Sequence, residues 1–131
     1  MRYFICPLGK INLRIPSEQT ERIISVSRLQ TAVYETENGE AFVSLPALLR
    51  QSGIAAPHGL ILKTGERRPQ KTILLAPKID IELEIPEENI RRLPEAFIGA
   101  MEFFKGACFA GKDENLILIL DPKKITEVYH D

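Results

Sequence analysis

The dipeptide Asn38-Gly39 constrains this chain more than any other feature of its sequence. A two-residue type I′ loop needs positive φ at both central residues, and Asn-Gly between alternating apolar residues is the strongest short-range hairpin signal. It stands between two strand-like runs, Leu29–Thr36 and Glu40–Leu45. With Asn38 and Gly39 as the loop, Tyr34 lies opposite Val43, Thr36 opposite Ala41 and Ala32 opposite Leu45, a mostly apolar face. The other face carries Val33, Phe42 and Ser44 among Glu35, Glu37 and Glu40. One face must cover a core, and the first is the better candidate. Phe42 is therefore expected at or near the surface, where a lone aromatic commonly anchors a partner. Val33 and Phe42, with Tyr34 as a third, are the candidate protein-binding residues. The competing reading packs them beneath a second subdomain, and the residues alone leave both open.

Strand signals recur along the chain. Tyr3–Leu8 and Ile11–Ile15 flank Gly9-Lys10 as a tight hairpin. Ser17 is a candidate N-cap for a short helical turn over Gln19–Ile24. Pro46–Gln51 reads as a short helix with Pro46 in its first turn and Gly53 near its end. Leu60–Lys63 and Thr72–Leu75 bracket the polar loop Thr64–Lys71. Ile79, Ile81, Leu83 and Ile85 alternate with Lys78, Asp80, Glu82 and Glu84, the period of a half-buried strand. Glu87–Leu93 is a turn or helix stopped by Pro94. Phe103–Ala110 and Asn115–Leu120 form the last pair, and Leu116–Leu120 is apolar on both faces, which predicts a central, covered strand. Lys123–Val128 closes the chain as a short helix. Many short strands with turns between them mean a barrel or sandwich, expected to be antiparallel.

Composition removes several function classes. The 131 residues suffice for one domain with a hydrophobic core. Lysine and arginine total 17 against 18 acids, a formal net charge of −1, which argues against nucleic acid because phosphate neutralisation needs a concentrated basic surface. No run approaches the roughly 18 apolar residues of a membrane span, and the N-terminus reads as a strand and not a signal peptide. Cys6 and Cys108 are too few for a disulfide framework and read as buried free thiols, which places the protein in the reducing cytoplasm.

Signs of catalysis are sparse. His58 in a loop and His130 near the terminus lack partners at metal-ligand spacing, so no metal is expected. There is no nucleophile elbow and no glycine-rich phosphate loop. Asp80, Glu82 and Glu84 read as the wet face of an amphipathic strand. The expectation is a protein without catalytic residues and without a cofactor.

The order of these elements resembles the CheW family, adaptor domains that couple bacterial chemoreceptors to the histidine kinase CheA. Phe4–Arg14 is similar to the family's opening hairpin, and Ile15–Ile24 to the segment that follows it. Phe42–Leu49, Pro77–Pro94 and Phe104–Ile125 resemble later stretches, the last with Lys105-Gly106-Ala107-Cys108 and Leu118-Ile119-Leu120-Asp121-Pro122. The resemblance covers nearly the whole chain. It implies a mainly β fold of two small SH3-like five-stranded barrel subdomains, intertwined in a single domain over residues 1–131. It also implies an adaptor role, docking to a CheA-type histidine kinase, a chemoreceptor or another CheW-like domain. The family's longer loop with an arginine-glycine pair is contracted here to Thr31–Glu40, and Ala76-Pro77 stands where an aspartate is expected. Residues of that loop used in signalling are therefore not carried over. A small-molecule-binding regulatory β-barrel is the alternative from another class; a deep polar-lined pocket would favour it.

Overall fold

The computed structural model describes residues 2–9, 11–26, 32–51, 54–63, 71–81, 103–110 and 115–128. Ten strands and two short helices follow one another through these segments. Strands β1 (Tyr3–Leu8) and β2 (Ile11–Pro16) form the first hairpin, with Gly9 at φ 67° in its turn. A single 3-10 turn over Ser17–Gln19 leads to β3 (Thr20–Ser25), and β4 (Tyr34–Glu37) and β5 (Glu40–Ser44) make the second hairpin. Then come α1 (Leu45–Leu48), β6 (His58–Leu62), β7 (Lys71–Ala76), β8 (Asp80–Ile81), β9 (Phe104–Ala110), β10 (Asn115–Leu120) and α2 (Pro122–Val128).

The strands build two five-stranded sheets, ordered β8-β1-β2-β10-β9 and β3-β6-β7-β5-β4. The mainly β architecture expected from the sequence, with two groups of five strands and short helices, is the one observed. The chain enters the second sheet once, through β3, and returns at β8. Each sheet contains one parallel pairing, β2 with β10 and β5 with β7, which corrects the expectation of an antiparallel fold. Hairpin signals report only on neighbours in sequence, whereas parallel strands are joined by long crossovers that leave no local mark.

The second hairpin has the register expected of a two-residue loop. Asn38 and Gly39 have φ of 50° and 77°, and Tyr34 pairs with Val43, Glu35 with Phe42 and Thr36 with Ala41. Ala41, Val43 and Leu45 are buried. Ser44 caps α1 by accepting the Ala47 N–H at 3.3 Å. Asp121 does the same for α2, its Oδ1 accepting the Lys123 N–H at 3.2 Å.

The inner faces of both sheets share one apolar core. Cys6, Leu8, Leu13 and Ile15 from the first sheet meet Val43, Leu60, Leu62 and Leu74 from the second, and Ile125 of α2 packs with them. Gln51, just beyond α1, is tied to the first sheet, its Nε2 donating to the Leu8 carbonyl at 3.2 Å. Strand β10 lies between β2 and β9, and its residues Ile117 to Leu120 are all buried. That is the covered central strand its two-sided apolar pattern predicts.

Three local expectations change. Gln19–Ile24 is mostly strand, not a helical turn. Ser17 Oγ donates to the Arg2 carbonyl instead of capping a helix, and the β-branched Thr20, Ile23 and Ile24 run along β6. His58 is the first residue of β6, paired with Ser25 and Ala76, and not in a loop. Ile81, expected on a buried face, is 74% exposed, because β8 touches β1 through only two residue pairs at the sheet's edge. Ile79 still packs against the core. The expected elements over 82–93, the later part of that alternation included, lie outside the described residues, as does Gly53.

Burial has a chemical consequence at Cys6. Its thiol is pushed up to about 12, first by burial and second by the neighbouring Asp80 carboxylate. The unfolded thiol ionises near 9.0, so this contribution to stability is complete below pH 9 and is lost as the pH rises toward 12. At pH 8 Cys6 is a neutral, unreactive thiol. Peptide-resolved labelling with a thiol reagent should leave Cys6 unmodified in the native protein and modify it fully in denaturant. Complete native labelling within seconds would contradict its burial. The side chain of Cys108 lies outside the described residues.

Candidate protein-docking site

The three residues singled out from the sequence all map to the second sheet, but not to one exposed patch. Phe42 is 6% exposed, which corrects the expected surface position. The register is the expected one, but both faces of the hairpin are covered and not one alone. The outer face of the second sheet carries its own small cluster, in which Phe42 packs with Ile61, Ile73 and Leu75, flanked by Ile24, Val26 and Ala56. Parity alone explains this set. Phe42 pairs with Ile73 in the parallel ladder, and Ile73 with Ile61 in the antiparallel one, so all three point to the same side.

Val33 and Tyr34 are half-buried and pack against the main core. Tyr34 is where its pairing with Val43 puts it. Val33 departs from the expected alternation because it lies in a bend before β4, held by the Ser44 N–H donating to its carbonyl at 2.9 Å. Phe42 and Val33 therefore occupy different environments and do not form one patch.

The outer cluster is closed over by chain that passes very near the sheet. A Cβ built on Gly59 would stand 2.8 Å from Ile73 Cγ2, 2.9 Å from Val26 Cγ2 and 3.1 Å from Ile24 Cγ1. The absence of a side chain there is what lets Val26 and Ile24 close over β6. The Val26 N–H also donates to the Pro57 carbonyl at 2.8 Å, holding Pro57 beside the end of β3.

Among the described residues, the exposed large apolar side chains are Ile23 on β3, Ile54 just before β6 and Ile81 on β8. Ile23 belongs to the β3–β6 ladder and Ile54 precedes β6 in the chain, while Ile81 sits at the edge of the other sheet. A helical turn over Gln19–Ile24 hides Ile23, which the strand exposes. The signal was its place in a Thr-Glu-Arg-Ile-Ile-Ser run that reads equally well as a strand. Of the six residues of β3, Glu21, Arg22, Ile23 and Ser25 are exposed, so its outer side is open. No group of three or more His, Cys, Asp or Glu among the described residues is arranged to hold a metal. No helix among the described residues is long and apolar enough to cross a membrane.

The fold is similar to that in the crystal structure of the scaffolding protein TtCheW from Thermoanaerobacter tengcongensis. The TM-score is 0.64 at 14% sequence identity, over 91% of this chain and 87% of that one. At this identity the likeness is one of fold. No family model matches the sequence, and no curated protein matches it either.

Proposed function

We propose that this chain is a non-enzymatic adaptor of chemotaxis-type signal transduction, acting by protein–protein contact in the cytoplasm. Its partners in this reading are the regulatory domain of a CheA-type histidine kinase, a chemoreceptor, or another CheW-like domain. The observation that carries the reading is the likeness in fold to a scaffolding protein along nine-tenths of the chain. The order of motifs in the sequence points the same way. Residues 1–131 act as one unit, because residues of both sheets contribute to one core and a change at one sheet is felt at the other.

The docking surface is assigned to the second sheet. Ile23 on β3 and Ile54 before β6 supply exposed apolar area. Tyr34 and Val33, half-buried at the opposite edge of that sheet, would offer a second, separate contact. Phe42 contributes from beneath, by keeping the outer face of the sheet in place.

A pull-down with an immobilised CheA-type regulatory domain tests the proposal. Retention of the full chain is expected, with Ile54→Asp retained less and unfolding at the same denaturant concentration as the parent. Absence of binding to the kinase domain, to a chemoreceptor tip and to a CheW-like domain at about 100 μM would overturn the adaptor reading. That concentration lies well above the micromolar range of ordinary specific complexes.

A further inference from the structure

We infer that the edge of β3 that no other described strand covers pairs with the β3 of a second copy of this chain, in antiparallel register centred on Ile23. The direction of its backbone groups follows from the ladder on its other side. The Val26 N–H donates to the Pro57 carbonyl, and two and four residues earlier Ile24 pairs with Gly59 and Arg22 with Ile61. In an antiparallel pair, only alternate residues exchange hydrogen bonds with a given neighbour. Arg22, Ile24 and Val26 therefore bond inward to the β6 side, and Ile23 and Ser25 turn their N–H and C=O groups outward. These outward residues are exposed, Ile23 at 40%.

The strand is self-complementary in this register. Ile23 meets its own copy across the two-fold axis, Arg22 lies opposite Ile24, and Glu21 lies opposite Ser25. Moving the axis one residue toward the N-terminus would set Arg22 against Arg22, and one further would set Glu21 against Glu21, which like charges disfavour. The irregularity between Thr20 and Arg22 ends the ladder on each side and limits it to the stretch centred on Ile23. The edges with described side chains are less suited to the same use. β8 has two residues, and β4 carries Glu35 and Glu37 in a four-residue strand. An isologous contact of this kind closes as a dimer and does not propagate. A contact confined to one six-residue strand from each copy is small, so the dimer is expected to be weak and concentration-dependent.

Sedimentation equilibrium of the full chain, from about 10 μM to about 1 mM, tests the pairing in the concentration range expected of a small interface. The expected result is a monomer–dimer equilibrium whose dissociation constant rises about tenfold or more in Ile23→Lys. Ile81→Lys, on the other sheet, should leave it unchanged. Amide exchange read in parallel should show the Ile23 and Ser25 N–H groups slowing as concentration rises, with that of Ile24 already protected in dilute solution. A monomer throughout, equal effects of the two lysine variants, or concentration-independent exchange at Ile23 and Ser25 would each overturn the inference. So would protection of those amides by the kinase domain alone, which would make the edge a site for a different strand. These readouts need no kinase, so their failure is distinct from failure of the adaptor reading.

Discussion

Leu118→Ala should cost about 2–5 kcal/mol of folding stability, the range for truncating a fully buried leucine. Leu118 is completely buried on β10, opposite Leu13 of β2 on one side and Ala107 of β9 on the other. It belongs to the core that both sheets share. Neighbouring strands on each side hold the backbone, so the space left by the missing carbons cannot collapse readily. Total stabilities of such domains are about 5–15 kcal/mol, so the variant should unfold at a clearly lower urea concentration with an unchanged denaturant slope. A loss below about 1 kcal/mol would mean that β10 is not the covered strand described here.

Phe42→Ala should be at least as costly, about 3–5 kcal/mol, the range for removing a buried aromatic ring. The outer cluster is small, so the ring is a large share of what Ile61, Ile73 and Leu75 pack against. Its position on β5, between β4 and β7, makes the loss a loss of sheet packing and not of one contact. A surface aromatic at the same sequence position would change stability by less than about 1 kcal/mol. Denaturant titration therefore separates a buried Phe42 from an exposed one. Phe42→Leu, which keeps most of the apolar volume, should recover much of the difference.

The adaptor proposal and these stability effects meet at the second sheet. Val26 and Ile24 cover the outer cluster only because Gly59 leaves room for them. Loosening that cluster would shift β3, and with it the exposed Ile23. A variant weakened at Phe42 is accordingly a poor probe of docking, whereas Ile23 and Ile54 can be changed at the surface without opening the core.

Sequence alone determined whatever depends on neighbours in the chain. Asn38-Gly39 set the hairpin and its register, because positive φ at two successive residues permits only a few turns. The two-sided apolar run Leu116–Leu120 determined that β10 would be central, since a strand with no wet face must be covered on both. Both features are legible in the sequence. Which face of the second hairpin would stay wet was not legible, because Phe42 and Val43 are both apolar and differ only in what lies beyond the strand. Tertiary structure decided that, by bringing Ile61 and Ile73 from other strands alongside Phe42. It also decided the parallel pairings, the exposure of Ile81 and the open edge at Ile23. Each depends on which distant segment lies alongside, and period-two alternation records how a strand's faces divide but not which segment comes to cover them.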